Sequence, residues 1–320
     1  LFVSVLLRPV LDERMREADG DNGDQVAAAV EAPRPPGLRH DLAVLTKVRL
    51  NTFVLITTFF GFLLGSRAHG FDAWLLFHTL LGTAAAAFGS AAFNQLMEIE
   101  LDSRMARTAN RPLPSGRMGA IVAFFIGWVL AGFGIIHLSA KVNEPAAYLA
   151  AATVAIYVFI YTPLKRMSSV NTLVGAIPGA IPPVIGWVAA GGALDTGAWF
   201  LFALLFVWQL PHFVAINWLC REEYEAAGYK MWSNGDVSGR KTGTLAVVFS
   251  LVLAGVSILG FTSGLAAWPW VVGGVLLALV MAALAARFAK EGGRAASRRL
   301  FLFTLLYLPI ALGLLAIAWK

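Results

Sequence analysis

Charge and cysteine are both scarce in this sequence. Only 14% of its 320 residues are Asp, Glu, Lys or Arg, where an ordinary soluble domain carries about a quarter, and 58% are hydrophobic. Too little polar chain remains to wrap such a composition in water, so a soluble globule is excluded. A single cysteine, Cys220, rules out an intramolecular disulfide, a cysteine-rich metal centre and a covalent haem-attachment sequence, and it reads as a buried bystander thiol. No secretory leader is recognisable, because the apolar run Leu1 to Leu7 is short and leads into acidic sequence without a cleavage pattern.

The few charges are placed unevenly. Nine stretches hold no Asp, Glu, Lys or Arg: Leu50 to Ser66, Ala73 to Met97, Gly119 to Leu138, Ala146 to Thr162, Thr172 to Ala190, Ala198 to Leu219, Thr244 to Phe261, Ala267 to Ala286 and Leu300 to Trp319. Each is about one bilayer long, which predicts an all-α, polytopic membrane bundle of nine transmembrane helices. The N-terminal segment and the even-numbered loops carry 22 of the 25 Lys and Arg residues, and the other side carries Arg67, Lys141 and Lys320. This bias places the N-terminus and the even-numbered loops in the cytoplasm. The net charge of +6 therefore reports topology, and a lipid bilayer rather than a nucleic acid is the expected macromolecular surround.

Residues 1–41 read as a disordered cytoplasmic tail with eight acids and five bases, and residues 42–320 as the membrane-embedded domain. Asp12, Glu13, Glu17, Asp19, Asp21 and Asp24 argue against a mitochondrial presequence, which favours a bacterial plasma membrane. Two long loops on the cytoplasmic side, 98–118 and 220–243, follow the second and sixth helices, a spacing that suits two four-helix repeats with one helix appended.

The first long loop carries the chemistry. If the second helix continues beyond Met97, then Asn94, Glu98 and Asp102 fall at i, i+4 and i+8 on one face, with Arg107 and Arg111 following. Two carboxylates and an amide oxygen are hard donors suited to Mg²⁺, and the arginines suit the outer oxygens of a diphosphate. The same loop also fits a plain juxtamembrane segment whose arginines follow the positive-inside bias. The second loop contributes Glu222, Glu223 and Tyr224 on the same side. Two acidic helix ends facing one another, above apolar helices, describe a site for an isoprenyl diphosphate.

Several residues admit two readings. His212 follows Pro211 within the sixth helix, and an intramembrane histidine is costly enough to suggest either a haem contact or a hydrogen bond to a neighbouring helix. His78 reads as structural. Lys165 and Arg166 serve either as cytoplasmic anchors or as anion contacts, and Asn171 either caps the fifth helix or touches substrate. Pro178, Pro182 and Pro183, with Trp187 and Trp208, suit either a substrate wall or tight packing.

These segments together resemble the UbiA superfamily of intramembrane prenyltransferases, and within it the branch that farnesylates haem. The resemblance covers residues 42–320. It rests on Asn94 to Gly116, Tyr161-Thr162-Pro163-Leu164-Lys165-Arg166, Asn171 through Pro182-Pro183 to Trp187, Trp208-Gln209-Leu210-Pro211-His212-Phe213, and Glu223 to Gly228. The Trp208 to Phe213 segment selects the haem branch. The resemblance implies transfer of a farnesyl group from farnesyl diphosphate to a vinyl group of haem b, giving haem O and diphosphate with Mg²⁺ as cofactor. It assigns catalysis to Asn94, Glu98, Asp102, Arg107, Arg111, Lys165 and Arg166, and metal binding to Glu98, Asp102, Glu222 and Glu223. Substrate contacts fall to Tyr161, Asn171, Trp208, His212 and Tyr224. Family analogy adds haem A synthase and oxidase-assembly proteins as partners. The chain departs from the family in carrying Glu at 98, 100, 222 and 223 where Asp is usual, and Val48 and Lys230 where Pro is usual. Rival readings are another UbiA branch acting on an aromatic acid or a chlorin, and a transporter or proton channel. The latter needs acids near mid-membrane, whereas these lie in loops or at helix ends.

Overall fold

The computed structural model describes residues 37–320, and the tail expected over residues 1–36 lies outside them. Residues 38–41 already belong to a helix, Leu38–Leu45, so the boundary drawn after residue 41 falls inside an element. Asp41 is buried there, where it accepts hydrogen bonds from Arg117 at 2.9 and 3.1 Å.

Among the described residues nine helices are long and apolar enough to span a bilayer, which makes the chain a multi-pass membrane protein. They are α1 (Val48–His69), α2 (Ala73–Met97), α3 (Ala120–Lys141), α4 (Glu144–Met167), α5 (Asn171–Ala189), α6 (Thr196–Leu219), α7 (Arg240–Thr262), α8 (Trp268–Glu291) and α9 (Gly293–Ala318). Several outrun the apolar stretch that announced them. Helix α9 begins at Gly293, seven residues before the uncharged run, with Arg294, Arg298 and Arg299 in the added turns. Three of the short turns opposite the long loops are closed by side-chain caps. Asp72 accepts from the backbone N–H groups of Trp74 and Leu75, Asn143 from Ala146, and Asp195 from Gly197 and Ala198.

Helices α1 to α5 pack in sequence and close by contact of α5 with α1, while α6 to α9 form a second group closed by contact of α9 with α6. Helix α5 joins the groups by packing on α6, and it is the most enclosed span, 78% buried in its apolar window against 56% or less elsewhere. Each long loop connects helices that pack on each other, α2 with α3 and α6 with α7.

Helix α5 stays helical through Pro178, Pro182 and Pro183, all of which are buried in packing. With no hydrophobic drive between helices in lipid, close approach matters, and small residues provide it. A Cβ on Gly186 would lie 2.6 Å from the backbone nitrogen of Phe62, and one on Gly61 would meet the carbonyl of Pro183. Gly186→Leu is therefore expected to force α1 and α5 apart and to reduce the yield of folded, detergent-extractable protein severely. Overpacking costs about 1–3 kcal/mol even where side chains adjust, and here backbone blocks adjustment. Size-exclusion profiles of wild type and variant check this, and a wild-type profile would contradict it.

Candidate active site

The second helix ends one turn earlier than continuity requires. Glu98 takes φ −106° and ψ 9°, interrupting α2, and a five-residue helix resumes over Ile99–Ser103. The break preserves enough of the spacing to matter, since the Asp102 N–H still reaches the Glu98 carbonyl at 2.8 Å. Glu98 and Asp102 consequently face one cavity of about 200 Å³ at the long-loop end of the bundle. Asn94 does not line it. Fully buried, it accepts from the Lys47 ammonium at 2.5 Å and donates to the Thr162 hydroxyl at 3.0 Å, fastening α2 to α4.

Both cavity carboxylates are held by cations. Lys165 reaches Glu98 at 2.8 Å, and Arg111 reaches Asp102 at 2.5 Å. Burial alone would raise the Glu98 carboxyl, but the ammonium groups of Lys165 and Lys47 outweigh it and hold the group below the usual glutamate range. Arg107 also lines the cavity, 3.5 Å from the Tyr224 hydroxyl and 3.9 Å from a Glu223 oxygen. Four cations, Lys47, Arg107, Arg111 and Lys165, thus surround the space, against two lining carboxylates, Glu98 and Asp102. The wall between them is phenolic: Tyr157, Tyr161, Tyr224 and Tyr229. Burial pushes the phenols of Tyr224 and Tyr229 up, which keeps them protonated donors at neutral pH.

Local backbone features aim these groups. The fourth span changes to a π-helical turn over Ile156–Tyr161, ahead of Pro163, and both Tyr157 and Tyr161 reach the cavity from it. Lys47 lies between two helices in the left-handed conformation, φ 48°, a strained setting for a non-glycine residue. Gly228, at φ 91°, ends the helix Arg221–Ala227 and turns the chain so that the Tyr229 N–H bonds to the Tyr224 carbonyl at 2.8 Å. Tyr229 is thereby placed with its ring 5.7 Å from the Lys165 ammonium.

The remaining expected residues separate into three groups. Asn171 lines the cavity, but its amide nitrogen donates to the carbonyls of Ser168 and Lys230. Glu222 and Arg166 turn away: the Glu222 side chain is 83% exposed and pairs with Arg221 at 2.8 Å, and Arg166 bonds to the Met97 carbonyl at 3.3 Å. Each helical residue turns the side-chain direction by about 100°, so with Tyr224 on the cavity side Glu222 lies on the far face of its short helix. Among the described residues no three of His, Cys, Asp and Glu converge as metal ligands. Trp208 and His212 lie off the cavity, in an aromatic stack with Phe301; Trp208 bonds to the Thr304 carbonyl and His212 to the Thr304 hydroxyl at 2.8 Å. Trp187 anchors the following turn by bonding to the Ala193 carbonyl.

Lys47, Tyr157 and Tyr229 were not singled out by sequence reasoning. Tyr157 carried a usable signal, four residues before Tyr161 on the same helix. Lys47 carried none, being one more base among those that set topology.

The donor set suits a hard divalent cation. Mg²⁺ binds through one or two carboxylates with phosphate oxygens completing its shell, and Glu98 and Asp102 line the same cavity. One buried Glu223 oxygen, Oε2, also lacks a hydrogen-bond partner.

The model of the UbiA prenyltransferase family matches residues 54–315. A protoheme IX farnesyltransferase of Solibacter usitatus is 40% identical over 285 residues, covering 86% of this chain and 97% of that protein. Among solved structures, the apo form of a UbiA homologue from Aeropyrum pernix K1 has a TM-score of 0.65 at 21% identity, covering 88% of this chain and 98% of its own. A UbiA homologue from Archaeoglobus fulgidus bound to GPP and Mg²⁺ has a TM-score of 0.53 at 13% identity, with 86% and 99% covered.

Proposed function

The chain belongs to the UbiA prenyltransferase family, and from that premise we propose that it transfers the farnesyl group of farnesyl diphosphate to a vinyl group of haem b, giving haem O. The observation that carries this reading is the small cavity at one end of an apolar bundle, with four cations against two carboxylates. Its volume of about 200 Å³ is of head-group size, below the roughly 300–1,000 Å³ of complete ligand sites.

Lys47, Lys165, Arg107 and Arg111 bind the diphosphate and stabilise the charge that develops on it as the allylic C–O bond breaks. Glu98 and Asp102 would hold Mg²⁺, which when bound adds further charge neutralisation to the leaving group. The phenols of Tyr224 and Tyr229 donate to phosphate oxygens. Phe213 and the tyrosine rings present their faces to the allylic cation and exclude water from it. The new C–C bond forms at the vinyl terminus, and one water then adds to the neighbouring carbon with loss of a proton, so the product gains a farnesyl group and a hydroxyl.

Haem is assigned to the Trp208–His212–Phe301 stack beside Phe213. The Thr304 hydroxyl donates to the Phe301 carbonyl at 2.6 Å, so it accepts from His212 Nδ1, which leaves Nε2 to face a ligand. His212→Ala is expected to weaken haem binding about tenfold or more, the worth of one hydrogen bond to a charged group or one metal contact, without altering Mg²⁺-dependent farnesyl diphosphate binding. A Soret titration alongside a diphosphate-binding assay measures both. Unchanged haem affinity would leave His212 as a pin between α6 and α9.

The positive-inside bias orients the cavity toward the cytoplasm of a bacterial cell, and the reading calls for haem A synthase and oxidase-assembly proteins as partners. The transfer itself is tested by following diphosphate release. Release that requires haem b together with farnesyl diphosphate supports the reading, and release that instead requires an aromatic acid or a chlorin overturns it.

A further inference from the structure

A second cavity, of about 560 Å³, opens between α7 and α8 at the same end of the bundle as the long loops. Arg240, Thr244 and Val247 line it from α7, at i, i+4 and i+7 on one helical face, and Ala286, Ala289 and Lys290 line it from α8. The polar ends are together: Arg240 opens α7 and Lys290 closes α8, so both bases stand at the mouth while Val247 and Ala286 lie one to two turns deeper. The helices touch beside the groove, where a Cβ on Gly243 would lie 2.6 Å from the backbone nitrogen of Ala289. The small side chains of Ala286 and Ala289 keep the space beside that contact open.

Charge in this region is one-sided. Arg240, Lys241, Arg287, Lys290, Arg294, Arg298 and Arg299 meet a single acid over residues 240–241 and 287–299, Glu291, and Arg287 already engages that acid at 2.8 Å. Two bases above an apolar slot complement a phosphate joined to hydrocarbon, in the order in which a bilayer presents them. We propose that this groove binds an anionic glycerophospholipid of the adjacent leaflet, with its phosphate between Arg240 and Lys290 and the start of an acyl chain against Val247, Ala286 and Ala289. The site lies on α7 and α8, and none of its lining residues lines the farnesyl diphosphate cavity. Basic pockets between transmembrane helices are a recurrent means of selecting acidic lipids.

The test uses the full chain, purified in detergent and titrated with phosphatidylglycerol, phosphatidylcholine or inorganic phosphate while its melting temperature is followed. Phosphatidylglycerol should raise the melting temperature saturably, phosphatidylcholine should not, and inorganic phosphate alone should not reproduce the effect. In the Arg240→Gln/Lys290→Gln double variant the apparent affinity for phosphatidylglycerol should fall about tenfold or more. Ala286→Leu, which fills the slot without changing charge, should weaken the same response and leave the lipid-free melting temperature near that of wild type. An equal response to phosphatidylcholine, a response reproduced by inorganic phosphate, or undiminished affinity in both variants would overturn the proposal.

Discussion

Asp102→Asn is expected to lower farnesyl transfer by on the order of 10³-fold while haem binding stays near wild type. The substitution keeps the shape of a side chain that is almost wholly buried, and it removes the charge that Arg111 meets at 2.5 Å. Two things fail together at the cavity. One of the two carboxylates available to the cation becomes an amide, and Arg111 loses the partner that fixes its approach to the diphosphate. Some stability is also lost, because breaking a buried ion pair leaves a charge uncompensated at a cost of about 3 kcal/mol. Melting curves therefore accompany the kinetics. Arg104→Gln supplies the comparison, since Arg104 pairs only with the exposed Glu100 on the same loop and should leave turnover unchanged. Near wild-type turnover in Asp102→Asn would remove Asp102 from the reaction.

Lys165→Met should be nearly as damaging and should show a distinctive pH dependence. Lys165 ties the fourth span to Glu98 and carries charge to the cavity wall, so its loss should raise the KM for farnesyl diphosphate and lower kcat by about 10²-fold or more. In the wild type the folded-state Glu98 carboxyl titrates below its ordinary value. Its stabilising contribution is therefore full above the unfolded-state value and is lost as pH falls through the lowered folded one. In the variant the buried carboxylate loses its largest counter-charge and keeps those of Lys47 and Arg111, so burial moves its titration upward relative to wild type. The deficit in melting temperature relative to wild type should accordingly be largest near pH 7 and shrink as pH falls below the usual glutamate range, through the lowered value at which Glu98 protonates in the wild type. A deficit that does not change with pH would contradict the pairing of Lys165 with Glu98.

The two variants also mark where sequence and structure diverge. All nine spans were legible because a bilayer forbids charge over some twenty residues, a constraint that composition records directly. Asp102, Arg107 and Arg111 were legible because helical spacing and charge both singled them out. Glu222 was not, since on a seven-residue helix the choice between cavity and solvent is a rotation of one or two residues, set by where Cys220 ends α6. Asn94 shared the expected spacing, yet Lys47 from before α1 and Thr162 from α4 claim its amide, and no pattern within the second helix encodes a partner so distant in sequence. The role of Tyr229 depends on the left-handed Gly228 and on the return of the chain toward Lys165, both tertiary facts.

Glu98, where the resemblance implies Asp, acquires a physical reading in this setting. The longer side chain starts from a residue that has left helical geometry, and it spans to Lys165 as well as facing the cavity. Glu98→Asp is expected to lengthen that ion pair and lower activity. Steady-state kinetics of this variant check it, and unchanged or faster turnover would show that the extra methylene has no part in positioning the carboxylate.

The proposed reaction is that one cavity ionises farnesyl diphosphate and delivers the farnesyl group to haem. It is tested most directly by incubating the purified protein in lipid nanodiscs with Mg²⁺, farnesyl diphosphate and haem b, and analysing the porphyrin by mass spectrometry. The expected product is a haem heavier by one farnesyl group and one hydroxyl group, formed by the wild type and nearly absent with Asp102→Asn. Unmodified haem from folded protein that binds both substrates, or an equal yield from Asp102→Asn, would contradict it.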